Sequence, residues 1–168
     1  IGVFNGNHNT IVTIRRRYML LKNDSDFSVK DYFQTVDGVE FAGTHIILDV
    51  WGAKKLTDSG FMEAVFNNCI CSSDATLLHM HVHCFESSGG ISGVAVLAES
   101  HISVHTWPER DYAAFDIFMC GESKPEESVK VIIDAFRPSH HSLTKMRRGI
   151  VETGAVNDCS IWQYAHNR

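Results

Sequence analysis

Three stretches of this chain alternate between apolar residues and residues of mixed character. In 75–85 (ATLLHMHVHCF), Leu78, Met80, Val82 and Cys84 share one parity, and Leu77, His79, His81, His83 and Phe85 the other. In 101–107 the parities are Ile102, Val104, Thr106 against His101, Ser103, His105, Trp107. In 112–120 they are Ala113, Phe115, Ile117, Met119 against Tyr112, Ala114, Asp116, Phe118, Cys120. Successive side chains of a strand point to opposite faces, so each stretch reads as a β-strand with one apolar and one mixed face. The apolar faces need a covering layer. Two amphipathic helices are available to supply it. The first, 58–70, is capped by Asp58 and striped with Phe61, Val65 and Cys69 beside Met62, Phe66 and Ile70. The second, 123–136, opens with Ser123 and Glu126 as a capping box, has Pro125 in its first turn and stops before Pro138. Its stripe is Val129, Ile132, Ile133 and Phe136. With further strands at 44–52, 91–98 and 142–151, the expected fold is α+β, a two-layer sandwich of an antiparallel sheet with helices on one face. The mixed faces are too apolar to lie bare in water and too rich in reactive groups for a core. They are expected to meet a second subunit, dimerising sheet to sheet, with a site between the layers.

A chain of 168 residues suits one domain. Residues 41–153 read as that domain, 1–40 as an N-terminal extension and 154–168 as a C-terminal tail. The chain opens on Ile1 rather than methionine, so further sequence is expected upstream. The net charge of -5 argues against a nucleic-acid partner, which would favour a basic face. No apolar run approaches the roughly 18 residues of a membrane span and no signal-peptide pattern is present, so no membrane role is expected. Five cysteines, Cys69, Cys71, Cys84, Cys120 and Cys159, form no C-x-x-C pair. An odd count without that motif points to a reducing, cytoplasmic setting rather than a disulfide framework. Alternate His79, His81 and His83 have zinc-ligand spacing but no evident fourth ligand. A solvated or hydrogen-bonded histidine ladder is the expectation, with no metal.

The richest chemistry lies in LAESHISVHTWPE, 97–109. The strands 91–98 and 101–107 leave only Glu99 and Ser100 between them, which predicts a tight hairpin with Ser100 in the turn. On a straight strand Ser100 and His105 would face apart, so a turn position for Ser100 is what would let them meet. A strained Glu99–Ser100 turn brings the Ser100 hydroxyl close to the Glu99 carbonyl carbon. Attack there converts the amide to an ester, helped by enforced proximity. Removal of the Ser100 α-proton then expels the Glu99 carboxylate by β-elimination, and the dehydroalanine hydrolyses to a ketone. The product is a pyruvoyl group, able to form a Schiff base with an amine and to act as an electron sink.

The stretch SGVAVLAESHISVHTWPERDYAAFDIFMCG (92–121) resembles the core of the prokaryotic, pyruvoyl-dependent S-adenosylmethionine decarboxylases. The likeness rests on the E-S pair, H-T-W-P-E and Y-A-A-x-D-x-F-x-C-G, and extends loosely over 42–152 through G-x-H and H-x-F. The segment between H-x-F and Ser92 is one residue longer than in the short bacterial forms. The resemblance implies that Ser100 becomes the pyruvoyl group after cleavage from Glu99, and that Ser92 and His105 assist this processing. His105 would take the Ser100 α-proton. Cys120 would be the proton donor after CO2 leaves, Glu109 would hold the ribose hydroxyls and Phe85 would stack on adenine, with Trp107 also favouring a nucleoside. It also implies a homodimer with sites drawn from both subunits. The activity implied is decarboxylation of S-adenosylmethionine to the aminopropyl donor for spermidine. The same chemistry on ornithine or arginine, and an unprocessed, non-catalytic homologue, stay open alternatives.

Overall fold

The apolar parities turn toward two helices. The computed structural model describes residues 32–151 and 162–164. A short hairpin of β1 (Gln34–Val36) and β2 (Val39–Phe41) precedes β3 (Gly43–Trp51), α1 (Ser59–Ser72), β4 (Leu77–Cys84) and β5 (Ile91–Leu97). Then follow β6 (Ser100–Trp107), a 3-10 turn (Pro108–Arg110), β7 (Tyr112–Cys120), α2 (Pro125–Phe136), β8 (His140–Arg148) and β9 (Trp162–Tyr164). Strands β3 to β9 make one seven-stranded sheet in the order β4-β5-β6-β7-β3-β8-β9, and every pairing is antiparallel. Residues 1–31 of the expected extension, and the expected tail apart from 162–164, lie outside the described residues, as does Cys159.

Helix α1 starts where expected. The Asp58 carboxylate accepts from the Phe61 N–H at 2.9 Å, satisfying one of the free donors of the first turn. Helix α2 does not use the expected capping box. Lys124 is its N-cap and no side chain caps it. Pro125 takes the first helical position, so Glu126 falls one place short of the position from which it could reach back. Its carboxylate pairs with Lys145 of β8 instead. Both helices pack on one face of the sheet: Met62, Phe66, Ile132 and Phe136 meet Ile46, Leu48, Val104, Phe115 and Ile117 in a continuous core. The α+β two-layer expectation is borne out. In β4 the expected parity holds for Met80 and Val82, which pack on the core. Leu78 is 64% exposed, because the β4–β5 register shifts between Leu77 and His79.

Phe115 sits in the central strand at full burial, its ring 5.6 Å from that of Phe136. Phe115→Ala should cost about 3–5 kcal/mol in a urea melt, the usual penalty for emptying a buried aromatic site. A loss under about 1 kcal/mol would contradict this packing.

Candidate active site

At one end of the sheet a cavity of about 370 Å³ opens among Phe85, Ser92, His105, Trp107 and Glu109. These are five of the residues singled out in the sequence. Ser92 and His105 are directly paired across β5 and β6, and Ser92 Oγ lies 2.8 Å from His105 Nδ1. With Nδ1 engaged by Ser92, Nε2 is the ring nitrogen left to exchange a proton. Phe85 and Trp107 stand 44% and 40% exposed at the rim, two aromatic faces beside one cavity. Phe85 is fixed by the loop that follows it: its N–H donates to the Gly90 carbonyl at 2.8 Å and its carbonyl accepts from the Gly89 N–H at 2.7 Å. Glu109 projects from the 3-10 turn that caps β6.

Three lining residues were not singled out: Ser88, Ile91 and Thr106. Thr106 is buried and ties the cavity wall together. Its hydroxyl accepts from the Ile91 N–H at 2.7 Å and donates to the Leu56 carbonyl at 2.9 Å. The signal was present in the sequence, since Thr106 is the one polar residue on the apolar parity of 101–107.

The other end of β6 holds the E-S pair. The two-residue turn is Ala98–Glu99, not Glu99–Ser100, and Ser100 is the first residue of β6, paired with Leu97. The expected turn position of Ser100 is thus corrected by one residue. This places Ser100 on the same parity as Ile102 and Val104, and it is 8% exposed. Glu99 itself has φ 53, in the left-handed region that costs a residue with a Cβ about 1–2 kcal/mol. Ser100 Oγ accepts from the Cys120 N–H at 3.2 Å. The residue preceding the Glu99–Ser100 peptide bond is therefore the strained one, and the hydroxyl that follows it is held by a backbone donor. A group made from Ser100 would stand at this corner, next to the Cys120 backbone.

Burial, and then the Glu99 carboxylate, push the Cys120 thiol above its ordinary range. A thiol raised in this way stays protonated at neutral pH, the form a general acid needs. Cys120 lies beside Glu99 and Ser100 and not beside His105, whose partner on β7 is Ala114.

The two ends do not meet within one chain. Ser100 and His105 are five residues apart on an extended strand, about 17 Å at roughly 3.3 Å per residue, and they point to opposite faces. The mixed face extends sideways near the Ser100 end, along the row His101–Phe118–His45. There His45 of β3 has Nε2 buried, without a hydrogen bond and 3.5 Å from Asp116 Oδ1. Arg148 donates toward His45 Nδ1 at 3.2 Å, so Nε2 carries the proton that faces Asp116. Burial, and then His45, push His101 below its ordinary range, with Asp116 opposing. His79, His81 and His83 are exposed on edge strand β4, and His83 packs edge-on against Phe85 with centroids 4.8 Å apart. Among the described residues no group of three or more His, Cys, Asp or Glu side chains is arranged to hold a metal ion. The four described cysteines are free thiols. No helix among the described residues is long and apolar enough to cross a membrane.

Comparison with known proteins bears on the same region. The profile of a family described as S-adenosylmethionine decarboxylase matches residues 44–149. A relative from Thermomicrobium roseum, named S-adenosylmethionine decarboxylase proenzyme, is 37% identical over 110 residues, covering 65% of this chain and 95% of the relative. A proenzyme of the same name from Methanococcus vannielii is 45% identical over 117 residues, 68% of this chain and 95% of its own length. Among solved structures, the adenosylmethionine decarboxylase from Aquifex aeolicus superposes with a TM-score of 0.59 at 28% identity, over 70% of this chain and 98% of that one.

Proposed function

Because the chain belongs to the S-adenosylmethionine decarboxylase family, we propose that it is a self-processing, pyruvoyl-dependent decarboxylase of S-adenosylmethionine that works as a homodimer. The observation that carries this reading is the gathering of Phe85, Ser92, His105, Trp107 and Glu109 around one cavity. Two aromatic faces and a carboxylate suit a nucleoside, with stacking on the base and hydrogen bonds to ribose hydroxyls. Ornithine and arginine have no ring for Phe85 and Trp107 to hold. The product would be the decarboxylated aminopropyl donor used to make spermidine.

Processing begins at the Ala98–Glu99 turn. Ser100 Oγ attacks the Glu99 carbonyl carbon, the C–N bond breaks, and an ester replaces the amide while the Ser100 nitrogen becomes a free amine. A base then takes the Ser100 α-proton and the Glu99 carboxylate leaves. The resulting dehydroalanine hydrolyses, releasing ammonia and leaving the ketone. The base cannot be the same chain's His105, given the separation along β6. Two mixed faces laid together in antiparallel fashion bring the Ser100 end of one against the cavity end of the other. The Ser100 Cα–H tilts away from its side chain, toward the mixed face, where His105 of the partner subunit takes its proton, and the partner subunit's Glu109 and Phe85 hold the nucleoside. The mixed face supports this: exposed Val96, Phe85 and Trp107 lie on it together with the His45–Asp116–His101 cluster, all apart from the helical layer.

The pyruvoyl group, once made, supplies an electron sink for the pair left when CO2 departs. Residues of the two subunits do the rest. Phe85, Trp107 and Glu109 of the partner subunit bind and orient the nucleoside, and Cys120 Sγ–H of the subunit that carries Ser100 delivers a proton to the substrate's α-carbon. The test is an intact-mass measurement on purified protein with a CO2-release assay. The sample should resolve into fragments 1–99 and 100–168, the second blocked to Edman sequencing, and CO2 should come from S-adenosylmethionine and not from ornithine or arginine. Ser100→Ala should stay one chain. A wild-type chain that stays whole after prolonged incubation would contradict the proposal.

A further inference from the structure

Gly43 opens β3 and is paired with Cys120 on one side and Arg148 on the other. It shares the parity of the mixed face yet is buried. Its φ is not in the left-handed region, so backbone conformation does not call for glycine there. Space does. A Cβ at 43 would stand 2.6 Å from the Met119 carbonyl oxygen and 3.0 Å from both Cys120 Sγ and Phe118 Cζ. The thiol and the edge of the Phe118 ring thus fold over bare backbone. The ring in turn is held by His45 and His101, with centroids 5.9 and 5.8 Å away. A glycine inside a strand weakens it and marks close approach of another group.

We infer that Gly43 and Phe118 form the seat that fixes the Cys120 thiol, and that both are positioning residues for the protonation step. This rests on the reading of Cys120 as the proton donor. After CO2 leaves, the electron pair is shared between the substrate's α-carbon and the ketone-derived carbon of the cofactor. A proton delivered to the first gives product. A proton delivered to the second consumes the pyruvoyl group and releases an aldehyde. The donor's placement decides between them, and a misplacement of about 1 Å is enough to change rates about 10²-fold.

The test has two readouts. In unprocessed Ser100→Ala protein, which carries no cofactor, alkylation of Cys120 by iodoacetamide is followed by peptide mass across pH. Adding Gly43→Ala or Phe118→Leu should speed alkylation several-fold and move its pH midpoint down toward that of an ordinary thiol, as Sγ leaves its shielded seat. In processed enzyme the same two substitutions should raise aldehyde released per CO2 by about tenfold or more. That ratio is counted per turnover and does not depend on how much protein folds. Gly93→Ala is the control. Its Cβ would press on Phe66 and Val104 at 3.2 Å in the core, so it should lower stability and leave both readouts alone. Phe118→Leu involves no backbone collision and decides the matter if Gly43→Ala does not fold. Unchanged alkylation and unchanged ratio in the folded variants, or equal changes in Gly93→Ala, would overturn the inference. Should Cys120→Ala itself leave the ratio unchanged, the donor reading fails instead, and the alkylation result still judges the seat.

Discussion

His105→Ala should arrest the chain at the Glu99–Ser100 junction as an ester. The first step needs only Ser100 Oγ and the Glu99 carbonyl, and both features that favour it remain: the left-handed φ of Glu99 and the Cys120 N–H on Ser100 Oγ. The second step needs a base for the Ser100 α-proton, and alanine offers none. Loss of a positioned base typically slows such a step by about 10²–10⁴-fold. Hydroxylamine cleaves esters and should release fragments 1–99 and 100–168 from the arrested protein, while Ser100→Ala should give none. Ser92→Ala should slow processing less, since it removes the partner of Nδ1 and not the base. Processing of His105→Ala at the wild-type rate would remove His105 from this role.

Cys120→Ala should be cleaved normally and then fail in turnover. The Cys120 contribution to processing is its backbone N–H, which alanine keeps. Its contribution to decarboxylation is the thiol proton, worth about 10²–10⁴-fold. Burial and the Glu99 carboxylate hold this thiol above its ordinary range. The acid form is the working form, so activity should persist as pH rises through the range where a free thiol ionises and fall only above it. Cleavage at Glu99 creates a new chain-end carboxylate nearby, which pushes in the same direction. With the thiol gone, turnover should end in aldehyde release and an alanine at the start of the 100–168 fragment, seen as a mass change. Full activity in Cys120→Ala, without that mass change, would take Cys120 out of the mechanism.

The two-layer fold was legible because period-2 alternation in 101–107 and 112–120 exposes the apolar parity directly. Strand placement along β6 was less so. The turn falls on Ala98–Glu99 because Glu99 accepts a left-handed φ, and no glycine or asparagine announces that. A one-residue slip reverses which face a side chain takes, and so Ser100 was expected in the turn but lies on the helix-side parity. The cavity residues could be named from H-T-W-P-E and H-x-F, whereas Thr106, equally visible, was passed over as part of the apolar face. Helix α2 shows the limit of local signals: Ser123 and Glu126 match a capping box, but Pro125 shifts the frame and Lys145 claims the carboxylate. The meeting of His45 with Asp116 depends on β3–β7 register, in which Ile47 faces Asp116 and His45 faces Phe118. That pairing joins residues some seventy positions apart and has no local signature. Ser100 and His105, by contrast, are kept apart locally, by the extended strand that carries both and by their odd spacing along it.

If Ser100 of one subunit is served by His105 of the partner subunit, co-expression of Ser100→Ala and His105→Ala chains, each with a different affinity tag, should restore cleavage in one of them. Neither chain should be fully cleaved alone. In the mixed dimer the His105→Ala chain keeps its serine and faces an intact His105 of the partner subunit. Tandem-tag purification should yield dimers in which the His105→Ala chain alone is split into 1–99 and 100–168, with S-adenosylmethionine decarboxylase activity restored to one site per dimer. A mixed dimer in which the His105→Ala chain stays arrested as the ester would show that the base acts within its own chain, and would rule out a base from the partner subunit.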